Sequence, residues 1–193
     1  MTRAYRAHAI SCASGSIGTE YNTTAVPRGR PDTVSQSERT LIIGVGNADC
    51  GDDAVGPKLI DELARRGIET VDTVRSAGEP SQLIALFDRR ATVYLIDAVE
   101  AIQSPGRIHR FDVSERALPA EFAQPYSTHG MGVHEALELA RAIDSLPPIA
   151  IVYAVEGVQF EPGAAMTPEV QSTVAVLADR LVEDLAMPAT SPE

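Results

Sequence analysis

Leu41-Ile42-Ile43-Gly44-Val45-Gly46-Asn47-Ala48-Asp49-Cys50-Gly51-Asp52-Asp53 is the stretch on which the fold turns. Its opening apolar run, broken only by glycine, reads as a strand buried on both faces, the kind that parallel sheets contain. An acidic loop follows, after which Val55, Leu59, Ile60 and Leu63 recur at helical spacing on one face. That helix is expected over 53–66. Arg65-Arg66-Gly67 closes it with cations suited to the helix dipole and a glycine suited to the C-terminal cap.

The alternation continues to either side of later loops. A second strand is expected over 70–75 and a short helix over 80–87, with Pro80 in its first turn. Val93-Tyr94-Leu95-Ile96 reads as a buried third strand ending at Asp97, and 107–113 as a more exposed strand near an edge. A helix over 132–143, a core strand over 150–155 and a final helix from Thr167-Pro168-Glu169 through Leu185 complete the pattern. Strands alternating with helices predict an α/β three-layer sandwich with a mostly parallel or mixed central sheet.

Residues 1–38 follow neither period, are rich in Ser, Thr, Gly and Arg, and contain the turn-prone run Pro27-Arg28-Gly29-Arg30-Pro31-Asp32. They read as a disordered N-terminal extension, with a misassigned start codon as the alternative. A single α/β domain is expected over 39–187, and a flexible tail over 188–193. At 193 residues the chain has length for one full core.

The formal net charge is −11. Arg3, Arg6, Arg28, Arg30 and Arg39 against Glu20, Asp32 and Glu38 give the first 39 residues +2, which leaves −13 for the remainder. Such acidity opposes a phosphate backbone, and nucleic acid is not an expected partner. Lys58 is the sole lysine, so a basic membrane patch is equally unsupported. No stretch approaches the ~20 apolar residues of a membrane span, and Arg3, Arg6 and His8 interrupt any signal-peptide core. Cys12 and Cys50 lie in unlike contexts that do not suggest a disulfide, so a reducing cytoplasm is expected.

Chemistry is expected where polar residues follow the strands, because open α/β sheets collect ligands beyond their carboxyl ends. Gly44-Val45-Gly46 resembles the start of a dinucleotide fingerprint, but its third glycine would fall on Asp49, and Asp52 and Asp53 would repel a pyrophosphate. The glycines instead suit a tight turn. Asp52 reads first as a helix cap, and Asp53 equally as a first-turn carboxylate or a site residue. Asp97 either caps a turn or lines the crevice. His129, in Ser127-Thr128-His129-Gly130, lies in a loop rather than on an apolar face, whereas His134 reads as a solvent-exposed helix residue. Glu156, Gln159 and Gly130-Met131-Gly132 could border a cleft or simply shape loops. Cys50 would need a paired histidine to serve as a nucleophile, and the spacing supplies none.

Gly46-Asn47-x-x-x-x-Asp52-Asp53-x-x-Gly56, Ile96-Asp97-Ala98 and Ser127-Thr128-His129-Gly130-x-Gly132 followed by Glu135-Ala136-Leu137 together resemble the hydrogenase maturation proteases. Val155-Glu156-Gly157 and Gly163 ahead of Thr167-Pro168-Glu169-Val170 match the closing segment of that family. The resemblance covers residues 41–185 in order. It implies a phosphorylase/hydrolase-like fold and an endopeptidase that removes a C-terminal extension from a nickel-loaded hydrogenase large-subunit precursor. It assigns the metal-contacting and catalytic roles to Asp53, Asp97 and His129, with nickel supplied by the precursor and no organic cofactor. Asp49-Cys50 departs from the family pattern, which usually has less acidic, less reactive residues there.

An imidazole with two carboxylates suits a borderline divalent ion, and three ligands leave positions open. No His-Glu-x-x-His helix of a self-contained zinc protease is present. Two other functions share these features: a noncatalytic maturation chaperone that senses metal on the precursor, and a phosphate- or nucleoside-binding enzyme, which the acidic first loop disfavours.

Overall fold

A computed structural model describes residues 39–122 and 132–186. The expectations for 1–38 and 188–193 lie outside the described residues. The elements run β1 (Leu41–Val45), α1 (Val55–Arg65), β2 (Asp72–Ser76), α2 (Pro80–Phe87), β3 (Thr92–Glu100), β4 (Ile108–Asp112), α3 (Val133–Ala142), β5 (Ile149–Gly157) and α4 (Pro168–Ala186). Single turns of 3-10 helix occupy Gly51–Ala54 and Ala120–Phe122.

The sheet has the order β2-β1-β3-β5-β4. Four strands are parallel, and β4 joins the edge antiparallel to β5. The α/β sandwich with a mixed sheet is therefore as expected. Alternation along the strands splits the core in two. Leu41, Ile43, Val93, Leu95, Ala150 and Val152 pack toward α2 and α3. Ile42, Tyr94, Ile96, Ile151, Tyr153 and Val155 pack toward α1 and α4. Leu59 and Leu63 of α1 and Leu177 and Leu181 of α4 are fully buried there, each contributing about 1.5–3 kcal/mol relative to exposure. Among the described residues no helix is long and apolar enough to cross a membrane.

Backbone packing sets how α1 sits on β1. A Cβ on Gly44 would lie 2.3 Å from the Gly56 carbonyl oxygen, and one on Gly56 would lie 2.2 Å from that of Val45. Strand and helix backbones thus touch directly, which holds the Gly51–Ala54 turn over the carboxyl end of β1. Gly44 serves this close approach rather than a turn. The turn belongs to Gly46, whose φ is +124°.

Several element boundaries differ from expectation by a residue or two, and three of the differences have reasons invisible to local pattern. β3 does not end at Asp97. Its pairing with β5 continues to Glu100↔Gly157, whereas its last pair with β1 is Gly44↔Ile96. Hydrogen bonds to β5, not hydropathy, carry the strand onward. The first helix begins as a 3-10 turn, with α-geometry only from Val55. β2 starts at Asp72, whose N–H donates to the Thr40 carbonyl at 2.9 Å.

Candidate active site

From β1 the chain crosses through α1 to β2 on one side, and from β2 it returns through α2 to β3 on the other. The helices of these two crossings cover opposite faces, so the sheet parts between the carboxyl ends of β1 and β3. Such a switch point is where open α/β sheets form a crevice. Asp53 approaches it from the loop after β1, and Asp97 from β3.

Asp53 is held by the turn that Gly46 makes. The Asn47 N–H donates to Asp53 Oδ2 at 2.7 Å, and the Asp53 carbonyl oxygen lies 2.0 Å from where a Gly46 Cβ would stand. Burial pushes the Asp53 carboxyl above the usual carboxylate range, with the Asn47 N–H pulling the other way. Asp97 continues the alternation of Val93 and Leu95 and so faces the α2/α3 side. Burial first, and then the charge of Asp53, push its carboxyl up to about 7, against the pull of the Ala98 N–H. A carboxyl that exchanges its proton near neutrality is matched to acid–base work.

Asp52 is not a cap for its own helix. It lies within the 3-10 turn and is 0% exposed. Its Oδ2 accepts the N–H groups of Val158 at 2.9 Å and Gln159 at 3.1 Å. Its Oδ1 accepts the N–H of Thr167 at 2.7 Å and the Thr167 hydroxyl at 2.8 Å. The chain turn aims this carboxylate inward, where it ties the first loop to the segment between β5 and α4.

Glu156 is likewise fully buried on β5 and does not line a surface. It accepts the N–H groups of Ile102, Gln103 and Ser104 at 2.7–3.0 Å, and its Oε1 lies 2.7 Å from His109 Nε2. Burial pushes this carboxyl upward, but the Gln103 N–H, the His109 imidazole and the Ser104 N–H outweigh it and hold it below the usual range. Gln159 is engaged in loop structure: its carbonyl accepts the Asp52 N–H at 2.7 Å.

His109 is a residue that the sequence reading left out. Cross-strand register sets Asp97 beside Ala154 and Ala154 beside His109. Two strand spacings, about 10 Å, therefore separate Asp97 from His109 on the same face. The signal for it was the period-two pattern His109, Phe111 on the edge strand, which gains meaning only once the register is known. Cys50 is buried at 3% exposed. His134 is half-buried rather than exposed, and its Nδ1 meets no hydrogen-bond partner among the described residues.

His129 lies outside the described residues, as do Ser127, Thr128, Gly130 and Met131. Gly132 follows them at the start of α3, where its N–H donates to Glu135 Oε2 at 2.7 Å. Among the described residues no three His, Cys, Asp or Glu side chains gather closely enough to hold a metal ion. Asp53 and Asp97 form a pair of carboxylates whose charges oppose each other, an arrangement that a divalent cation relieves.

A model of the hydrogenase maturation proteases matches residues 57–184. That span takes in Asp97 and His129 and begins just after Asp53. The hydrogenase 2 maturation protease of Escherichia coli (strain K12) is 24% identical over 139 residues, covering 70% of this chain and 84% of that protein. Among solved structures, an endopeptidase from Escherichia coli superposes with a TM-score of 0.65 at 23% identity, covering 76% of this chain and 91% of that one. A hydrogenase 2 maturation peptidase from a Thaumarchaeota archaeon gives a TM-score of 0.56 at 24% identity, covering 78% and 99%.

Proposed function

Since the chain belongs to the hydrogenase maturation protease family and is a peptidase, we propose that it removes a C-terminal extension from the nickel-loaded large-subunit precursor of a nickel-iron hydrogenase, in the cytoplasm, through Asp53, Asp97 and His129. The observation that carries this reading is the coupling of Asp53 to Asp97 at the switch-point crevice. Two carboxylates that resist joint ionisation form a ready seat for a cation and a ready store for a proton.

Asp53, Asp97 and His129 would hold the metal that arrives in the precursor, and this donor set suits a borderline ion such as nickel. A bound metal supplies Lewis acidity that polarises the scissile carbonyl. Asp53 or Asp97 would act as the general base that activates the attacking water and would pass its proton to the leaving amine; in the metal-free protein the Asp97 carboxyl is pushed up to about 7. Asp53, tethered by Asn47, keeps its carboxylate directed at the crevice and sets the proton affinity of its neighbour. A precursor without nickel would lack the contact that aligns its peptide bond.

The test is the intact mass of nickel-loaded precursor after incubation with the protein. Loss of a C-terminal peptide is expected, and Asp53→Ala, Asp97→Ala and His129→Ala should each abolish it while the fold is retained. Normal processing by all three variants would refute the site. A stable complex with no mass loss would favour a metal-sensing chaperone.

A further inference from the structure

Two loops close the carboxyl rim of the sheet beside the crevice, one leaving β3 and one leaving β5. They are joined where the Ala101 N–H donates to the Gly157 carbonyl at 2.9 Å. Each is also gripped by a fully buried carboxylate. Glu156 takes the N–H groups of Ile102, Gln103 and Ser104, and Asp52 takes those of Val158 and Gln159. Burying a carboxylate costs several kcal/mol unless hydrogen bonds compensate, so Glu156 on β5 and Asp52 in the turn after β1 hold the two loops in place.

What these fixed loops hold outward is apolar. Ile102 is 51% exposed and Val158 is 56% exposed, each one residue beyond the Ala101–Gly157 bond. The other exposed large hydrophobic residues among those described lie elsewhere: Leu139 on α3, Ile143 at its C-terminal cap, and Val176 and Val182 on α4. Around the pair in sequence stand exposed Glu100, Gln103 and Glu161, with one exposed cation, Arg107, at the far end of the first loop. An apolar centre with a polar margin is the anatomy of a protein interface.

Resting on the proteolytic reading above, we propose that Ile102 and Val158 form a rigid docking lip for the folded body of the precursor, whose contacting patch is apolar at its centre and basic at its edge. Continuity with the crevice selects this partner. Asp52, which grips Val158, directly precedes Asp53, and Ile102 lies five residues beyond Asp97 along the chain, a span of about 17 Å at strand rise. A protein whose extended tail enters the crevice therefore brings its body against the lip, and the acids flanking the lip call for basic residues opposite. Glu156 and Asp52 are positioning residues in this arrangement.

Steady-state processing of nickel-loaded precursor tests the proposal. The Ile102→Ser, Val158→Ser double variant should raise KM about tenfold with kcat held within about twofold, because the lip is remote from the reacting bond. Val176→Ser, a comparably exposed control on α4, should change neither constant. Glu156→Gln should raise KM in the same sense and speed hydrogen exchange at the amides of residues 102–104. Unchanged KM in the double variant, or a fall confined to kcat, overturns the lip. If the unaltered protein cleaves nothing, the proteolytic reading fails, and the dissociation constant of its complex with precursor then decides the lip. Weakening about tenfold in the double variant alone supports it, and equal affinity overturns it.

Discussion

The turn after β1 brings Asp53 near enough to Asp97 on β3 that the charge of Asp53, second only to burial, pushes the Asp97 carboxyl up to about 7. Below the unfolded value of 3.8 the group is protonated in both states and makes no demand. Between about pH 4 and pH 7 the unfolded chain gives up this proton while the folded one keeps it, so stability falls across that window and is fully lost above it. Asp97→Asn is expected to raise the urea midpoint of the metal-free protein at pH 8 and to leave it nearly unchanged at pH 4. Equal gains at the two pH values would show that Asp97 does not titrate as described.

Asp52 and Asp53 are adjacent in sequence and opposite in consequence. Asp52→Ala strands the N–H groups of Val158, Gln159 and Thr167 and should cost about 3–5 kcal/mol. Asp53→Ala gives up one bond from Asn47 but also relieves a carboxylate that burial disfavours, so its effect should stay within about 1 kcal/mol. Urea denaturation of both variants checks the contrast, and a larger loss from Asp53→Ala would reverse it.

Gly44→Ala sets a methyl group 2.3 Å from the Gly56 carbonyl oxygen. Backbone faces backbone there, so no side chain can swing aside, and a loss of about 2 kcal/mol or more is expected. A thermal melt of the variant within a degree of the parent would mean that α1 is free to move off β1.

The fold was largely legible because its signals are local. The apolar runs 41–45, 93–96 and 150–155 can be nothing but buried strands in an alternating α/β chain, and α2 was expected at the bounds it has, Pro80–Phe87. The extension of β3 to Glu100 was not legible, since Asp97, Ala98, Val99 and Glu100 gain strand geometry from β5 rather than from their own hydropathy. Asp52 was misread for a related reason. A carboxylate before a helix looks like a cap in one dimension, and only the return of residues 158–167 to the same place gives it different partners.

Residue order alone established the alternation of strands and helices, the acidity of the chain after residue 39, and the ordered motifs that name Asp53, Asp97 and His129 as candidates. These depend on side-chain chemistry and short-range periodicity, which a chain carries whether folded or not. Tertiary structure decided that the charge of Asp53 acts on Asp97, that Asp52 and Glu156 are buried anchors, and that His109 shares a face with Asp97. Strand order and register govern those three, and both are set by contacts between residues tens of positions apart that no local window contains.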